Sequence, residues 1–370
     1  RKIMGLRGCT LEKMVVNSDF WKNKKVLLTG HTGFKGSWLS IWLKKLGVEL
    51  IGFSKDIPTE PSLFELAKVS EDMTSIMGDI RNFSIIQKII QENQPEIVIH
   101  MAAQALVRKS YEDPLETFST NIMGTANLLE SLKQSKKTRV VINVTSDKCY
   151  ENNGKENIFS ENSPMGGYDP YSSSKGCSEL ITSAFKNSFY NSKEFDLHKL
   201  SLSTVRAGNV IGGGDWAKDR LIPDIINSIV KKIPTQIRNT ESIRPWQFVL
   251  EPLQGYLILA EKMWKEGNEF SGAWNFGPDN EGCKSVKWIL EKISKNFDNT
   301  WAWENDAKKN PHEASMLKLD CNKAKKRLNW KTKLGIDETL EWTINWYKEF
   351  LKNSNMKKYT ENQINRFVEL

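Results

Sequence analysis

Short apolar runs that alternate with helical patterns constrain this chain more than any other feature. KVLLTG, ELIGFS, EIVIHMAA, RVVINVTS and LSTVRAGNV are apolar at consecutive rather than alternate positions, the pattern of strands buried on both faces. Between the first two, SWLSIWLKKLG places Trp38, Leu39, Trp42, Leu43 and Leu46 on one helical face. Further helices are expected over 84–93, 114–134 and 171–188. Strand–helix alternation of this kind calls for right-handed crossovers and a parallel sheet covered on both sides. The expected class is therefore α/β, a Rossmann-type doubly wound parallel sheet. After about residue 210 the pattern changes: IGGGDWAKDRLIPD is glycine-rich and then polar, RNTESIRPWQF reads as a loop, and SVKWILEKISKNF and TLEWTINWYKEFLK read as helices. The expected organisation is an N-terminal extension over 1–19 and a Rossmann domain over 20–208. A smaller, mixed α/β substrate-binding region follows over 209–352, with segments returning to the first domain, and then a polar, peripheral tail over 353–370.

Composition narrows the function classes. No apolar run approaches the roughly 20 residues that span a bilayer, so no membrane association is expected. The basic segment RKIMGLRGCTLEKMVVNSDF lacks the continuous apolar core of a secretory signal. Cys9, Cys149, Cys177, Cys283 and Cys321 are scattered and form no C-x-x-C pair, which argues against a disulfide framework or a structural zinc site and fits a cytoplasmic protein. No histidine sits in a metal-ligand pattern. The net charge of +8 is spread along the chain and interleaved with acids; it suits a cleft for an anionic small molecule such as a nucleotide diphosphate better than nucleic acid.

The stretch LLTGHTGFKGSWL sets Gly30, Gly33 and Gly36 at the switch from the first strand to the first helix. In that context one glycine makes a tight turn, a second lets the backbone approach a pyrophosphate, and a third packs helix against strand. Helix amides and dipole then face the anion, so dinucleotide binding is expected. The second strand ends in Ser54 and Lys55, with Asp56 just beyond. No carboxylate thus stands at the strand tip where a ribose-binding acid is expected, and Lys55 leaves the 2′-phosphate of NADP open beside NAD. Asp79, in GDIRN, either reaches an adenine or caps a helix.

YDPYSSSKG places Tyr171 and Lys175 four apart, on one face of a helix. A phenol has an ordinary pKa of about 10, and a nearby ammonium favours phenolate, so Tyr171 is expected to act as a base toward a sugar hydroxyl. NVTSDKCY, at a strand end before it, supplies Ser146, Asp147 and Lys148.

With these motifs in place, the chain resembles the extended short-chain dehydrogenase/reductase family, from about Phe20 to about Lys352. The resemblance implies a bound nicotinamide surrounded by Gly30, Thr32, Gly33, Phe34, Gly36, Asp79, Ile80, Ala102, Ala103, Gln104, Asn121, Thr145, Tyr171 and Lys175; Asn121 could equally cap a bend. HMAAQALVRKSY, RAGNVIGGGDWAKDRLIPD, SIRPWQFVLEPL and PHEASMLKLDC narrow it to the family's nucleotide-sugar 4,6-dehydratases and imply CDP-glucose as substrate. Nothing in spacing or composition carries the cytosine. Asn209, Arg220, Arg244 and His312 are the implied substrate contacts, the arginines suiting a diphosphate.

Such a reaction oxidises carbon 4 and eliminates water across carbons 5 and 6. The hydride then returns to carbon 6, so the NAD stays bound. One group must protonate the leaving hydroxyl and another must remove the carbon 5 proton; Asp147 and Lys148 are the expected pair. In the related dTDP-glucose dehydratases the base position resembles glutamate. Lys148 is therefore expected either as a base of depressed pKa, the favoured assignment, or as a cation that stabilises the enolate. A 4-epimerase or reductase of the same family would keep Tyr171 and Lys175 without needing Asp147 and Lys148. A non-catalytic cofactor-binding protein would usually lose the tyrosine or the lysine. The product implies a supply of deoxysugars for bacterial surface polysaccharide such as O-antigen. The family resemblance also implies a homodimer or homotetramer, with 114–134 and 171–188 as the interface.

Overall fold

The computed structural model describes residues 16–152, 158–297, 301–306 and 317–370. Seven strands form its central sheet: β1 (Lys25–Thr29), β2 (Glu49–Ser54), β3 (Thr74–Met77), β4 (Ile97–His100), β5 (Val140–Val144), β6 (Ser201–Ala207) and β7 (Gly272–Phe276). Their order is β7-β6-β5-β4-β1-β2-β3, and every pairing is parallel. The long helices are α1 (Phe34–Lys45), α2 (Phe83–Asn93), α3 (Gly124–Leu132), α4 (Pro170–Ser188), α5 (Leu221–Lys231), α6 (Leu250–Glu266), α7 (Val286–Asn296), α8 (Ile336–Leu351) and α9 (Met356–Glu369).

The unbroken apolar runs follow from a sheet buried twice. Leu27, Val98 and Val141 join one core with Ile86 and Ile90 of α2, Leu128 of α3 and Phe185 of α4. Their neighbours Val26, Leu28, Ile97, Ile99, Val140 and Ile142 join the other, with Trp38 and Trp42 of α1, Leu257 of α6 and Trp346 of α8. Strand order reverses between β1 and β4, and a crevice opens there at the carboxyl ends of the strands.

Four segments depart from the sequence expectations, one of them RNTESIRPWQF, read as a loop, which carries the strands Ile243–Pro245 and Gln247–Phe248. The helix expected over 114–134 is interrupted: Pro114–Phe118 passes through a wider π-turn, Ser119–Met123, into α3. Asn121, inside that turn, is held by side-chain bonds to the neighbouring loop and to α4. The expected polar tail is helix α9, whose Ile364 and Phe367 are buried, Phe367 standing edge-on to Trp42. Its apolar residues are few but share one face. Residues 1–15 of the expected N-terminal extension lie outside the described residues, whereas its end is packed: Asn17 N–H donates to Glu261 Oε1 at 2.9 Å. Beyond residue 209 short strand pairs replace the sheet, such as Ile243–Pro245 against Cys283–Ser285, while α6 and β7 return to the central layers. Among the described residues no helix is long and apolar enough to cross a membrane.

Candidate active site

The glycine loop joins β1 to α1 with each glycine placed for a separate reason. Gly30 takes a φ of +78°, and a Cβ there would press on the Met101–Ala102 backbone. A Cβ on Gly36 would overlap the Gly30 carbonyl. Gly33 is the N-cap of α1 and carries no side-chain cap, which leaves helix amides facing the crevice, where an anion can take their hydrogen bonds. Beneath the loop, His31 Nδ1 bonds Ser54 Oγ at 2.9 Å and its Nε2 bonds Ser75 Oγ at 2.7 Å, tying the loop to β2 and β3. Burial holds this imidazole neutral, with a pKa lowered to about 4.

The crevice encloses about 690 Å³ and is lined by Gly30, Thr32, Gly33, Phe34, Gly36, Asp79, Ile80, Ala102, Ala103, Gln104, Thr145, Tyr171 and Lys175. The residues present fit a dinucleotide, with uncapped amides at one end and a tyrosine–lysine pair at the other. Asn121 is absent from that wall. It sits behind it, its Nδ2 donating to the Gln104 carbonyl at 3.0 Å and to Ser174 Oγ at 2.8 Å, while its Oδ1 accepts from Gln104 N–H at 2.8 Å. Its part is to hold the loop after β4 against α4. Thr29 Oγ1 accepts from the Met101 and Ala102 amides, both at 3.1 Å, and bonds His100 Nδ1 at 2.7 Å. Asp79 lies in the crevice with its carboxylate on Arg81 Nη2 at 2.6 Å and also caps the Arg81 amide. The N-cap of α2 is Asn82 and not Asp79, so the helix-cap reading of Asp79 fails, and its place on the crevice wall remains.

A second cavity of about 310 Å³ adjoins the first, sharing Phe34, Lys35, Thr145, Tyr171, Asp215 and Arg220 with it. Its walls include Ser146, Asp147, Lys148, Asn209 and Arg244. Ser146, at the end of β5, caps the turn Asp147–Cys149, accepting from Lys148 N–H at 3.2 Å and donating to Asp147 Oδ1 at 3.0 Å. Burial raises the Asp147 carboxyl, although Lys148 pulls the other way; burial thus favours the acid form, the form that can donate a proton. Arg220 Nη1 meets Asp215 Oδ2 at 2.9 Å. Trp246 is buried, its indole N–H donating to the Lys284 carbonyl at 3.0 Å. His312 lies outside the described residues.

The electrostatics of the Tyr171–Lys175 pair differ from expectation. Lys175 Nζ donates to the Val144 carbonyl at 3.3 Å, and burial, with Lys35 adding to it, lowers its pKa to about 8. Burial pushes the Tyr171 phenol up to about 12, with the hydrogen bond between it and Ser146 and the charge of Arg220 opposing the rise. In the protein alone phenolate is therefore disfavoured, because desolvation outweighs the surrounding cations.

Lys35 is the residue that sequence reasoning missed. It lines both cavities, and burial followed by the charge of Arg220 lowers its pKa to about 8, against the pull of Asp147 and Asp215. The signal was present in GFKG: a cation in the first turn of a helix opposes the macrodipole.

Comparison with known proteins places this geometry. The family described as GDP-mannose 4,6 dehydratase matches residues 27–343. A CDP-glucose 4,6-dehydratase of Salmonella typhimurium is 50% identical over 96% of this chain and 99% of that enzyme. A dTDP-glucose 4,6-dehydratase of Haemophilus influenzae is 26% identical over 87% of this chain and 97% of its own length. Among solved structures, an epimerase of Methanothermobacter thermautotrophicus aligns with a TM-score of 0.79 at 21% identity, covering 94% of this chain and 99% of that one. A dTDP-glucose 4,6-dehydratase of Bacillus anthracis in complex with NAD aligns at 0.72 and 20% identity, over 90% and 99% of the two chains. Fold, glycine loop, tyrosine–lysine pair and sequence identity agree, and the chain belongs to the NAD-dependent epimerase/dehydratase family of extended short-chain dehydrogenases/reductases.

Proposed function

We propose that the chain is a nucleotide-sugar 4,6-dehydratase that converts CDP-glucose to CDP-4-keto-6-deoxyglucose with a resident NAD. The observation that carries this reading is the convergence of Ser146, Asp147, Lys148 and Tyr171 on one cavity adjoining the dinucleotide crevice, in a chain half identical to a CDP-glucose 4,6-dehydratase.

The nicotinamide supplies hydride acceptance from carbon 4 and hydride return to carbon 6. The chain's own residues do the rest. Tyr171, in the phenolate form that the positive charge of a bound nicotinamide would favour, takes the carbon 4 hydroxyl proton, with Ser146 beside its phenol oxygen. Asp147, in the acid form that burial favours, gives its proton to the departing carbon 6 hydroxyl. Lys148, beside it and half-buried, serves as the base toward the carbon 5 proton, which the new ketone acidifies. Arg220 and Arg244 take the substrate diphosphate, Asn209 lines the sugar end, and His312 is assigned to the nucleotide by resemblance. Gly30, Gly33, Gly36 and the uncapped start of α1 hold the pyrophosphate of the cofactor.

NAD is favoured over NADP by two carboxylates in the crevice. Glu116 pairs with Lys55 at 3.1 Å and with Lys109 at 2.8 Å, and Asp79 pairs with Arg81 at 2.6 Å, so two negative charges stand where a 2′-phosphate would need cations alone. The Bacillus anthracis enzyme was solved with NAD. Leu115, Met123 and Leu180 are strongly exposed on the segments expected to pair, which supports a homo-oligomer. The described cysteines are all free, in keeping with a reducing cytoplasm.

The test is mass spectrometry of the products after separate incubation with CDP-glucose, dTDP-glucose and UDP-glucose. Loss of one water from CDP-glucose alone is expected. An isomer of unchanged mass would make the chain an epimerase, and no reaction with any of the three, NAD included, would overturn the substrate class.

A further inference from the structure

The turn that carries Ser146, Asp147 and Lys148 is anchored at both ends to a single buried ion pair. Glu179 lies one helical turn beyond Lys175, on the face of α4 that also carries Tyr171. Its carboxylate meets Arg206 of β6 through Nε at 2.7 Å and Nη2 at 2.8 Å. Both side chains are buried. Glu179 also accepts from Thr204 Oγ1 at 2.7 Å and from Thr145 Oγ1. Thr145 is the residue immediately before Ser146. The remaining Arg206 nitrogen, Nη1, donates to Tyr150 Oη at 2.6 Å and to the Glu161 carbonyl at 3.2 Å. Tyr150 is the residue immediately after the turn Asp147–Cys149, and its hydroxyl donates to Asn275 Oδ1 of β7 at 2.7 Å. Asn275 in turn donates to the Phe159 and Asp320 carbonyls at 3.0 and 3.1 Å.

We propose that Glu179, Arg206 and Tyr150 are positioning residues that set the distance between the oxidising pair on α4 and the eliminating pair on the turn. This rests on the dehydratase reading. The two half-reactions act on neighbouring carbons of one sugar, yet their side chains come from separate elements, α4 and the loop after β5. A network that grips the loop at Thr145 and at Tyr150, and springs from α4 itself, fixes the offset between them. A buried pair that served only stability would need no bond to either flank of the turn. Fully satisfied buried networks of this kind restrict geometry more than they add net stability.

Tyr150→Phe is the decisive variant, because it keeps the ion pair and the ring and removes the hydroxyl that ties the end of the turn to Arg206 and to Asn275. Glu179→Gln is the harsher companion and need not fold. For Tyr150→Phe, hydrogen exchange of the peptide spanning residues 145–150 should quicken while α4 and β6 stay protected. With CDP-glucose, kcat should fall roughly ten- to a hundredfold with KM little changed, since misplacement of about 1 Å costs rates of that order. The reduced cofactor, read by its absorbance, should build up because oxidation outpaces elimination. Unchanged exchange across 145–150 together with an unchanged kcat would overturn the inference. So would a kcat loss that merely tracks a lower melting temperature, with no build-up of reduced cofactor. If the wild-type chain forms no ketone from CDP-glucose, the functional reading fails, while the exchange measurement still decides whether the network holds the turn.

Discussion

The two walls of the active site are built differently. On one side Gly30, Ala102, Ser146, Tyr171 and Lys175 stand at ends of parallel strands or on α4, where sheet register and two packed cores set their positions. On the other side Asn209, Arg220 and Arg244 come from loops and strand pairs of two or three residues. In the proposed reading the chemistry thus sits on rigid elements and the substrate-gripping groups on loops, the usual division where one scaffold serves many substrates. Substitutions on the two walls should separate accordingly, kcat following the sheet side and KM the loop side.

The largest effect belongs to Tyr171→Phe. With no hydroxyl to accept the carbon 4 proton, turnover should fall by about 10²–10⁴-fold while CDP-glucose binding, measured by calorimetry, persists. Turnover within a few-fold of wild type would move the chemistry off the sheet side altogether. Lys148→Ala should slow dehydration by about a hundredfold, yet still permit oxidation at carbon 4, seen as reduced cofactor without loss of water. Normal dehydration by this variant would remove Lys148 from the elimination. Arg220→Met, on the loop wall, removes a charged contact worth about 1.5–3 kcal/mol. KM should rise by an order of magnitude with kcat little altered, and a kcat effect without a KM effect would break the proposed division.

Legibility in the sequence divides along the same line. Strands buried on both faces announce themselves as unbroken apolar runs, and glycine spacing at a strand-to-helix switch is a local code, so the sheet and the crevice could be read. Asp147 and Lys148, which line the cavity, could be singled out because they adjoin a strand end. The Glu179–Arg206 pair was not, since an ion pair between α4 and β6 leaves no spacing signal, and Glu179 reads as one more polar helix residue until burial is seen. Helix α9 was hidden by its polar composition, its core contacts resting on a handful of residues such as Ile364 and Phe367. The π-turn at Asn121 depends on bonds to Gln104 and Ser174, which no helical periodicity encodes.

The smallest predicted effect concerns two lysines at the meeting of the walls. Lys35 and Lys175 have pKa values lowered to about 8, in each case by burial first. Below that pH both are ammonium ions, and as pH rises through it they lose their charge. An anionic ligand favours the charged form, so the liganded complex holds protons that the free protein has released. Binding of CDP-glucose or NAD should therefore take up protons above pH about 8, read as a dependence of the calorimetric heat on the ionisation enthalpy of the buffer. Because kcat/KM reports the free enzyme, it should decline over the same range. Lys35→Met, in the first turn of α1, should remove part of the proton uptake and leave that due to Lys175. Uptake unchanged in this variant would mean that the charge felt by the ligand resides on Lys175 alone.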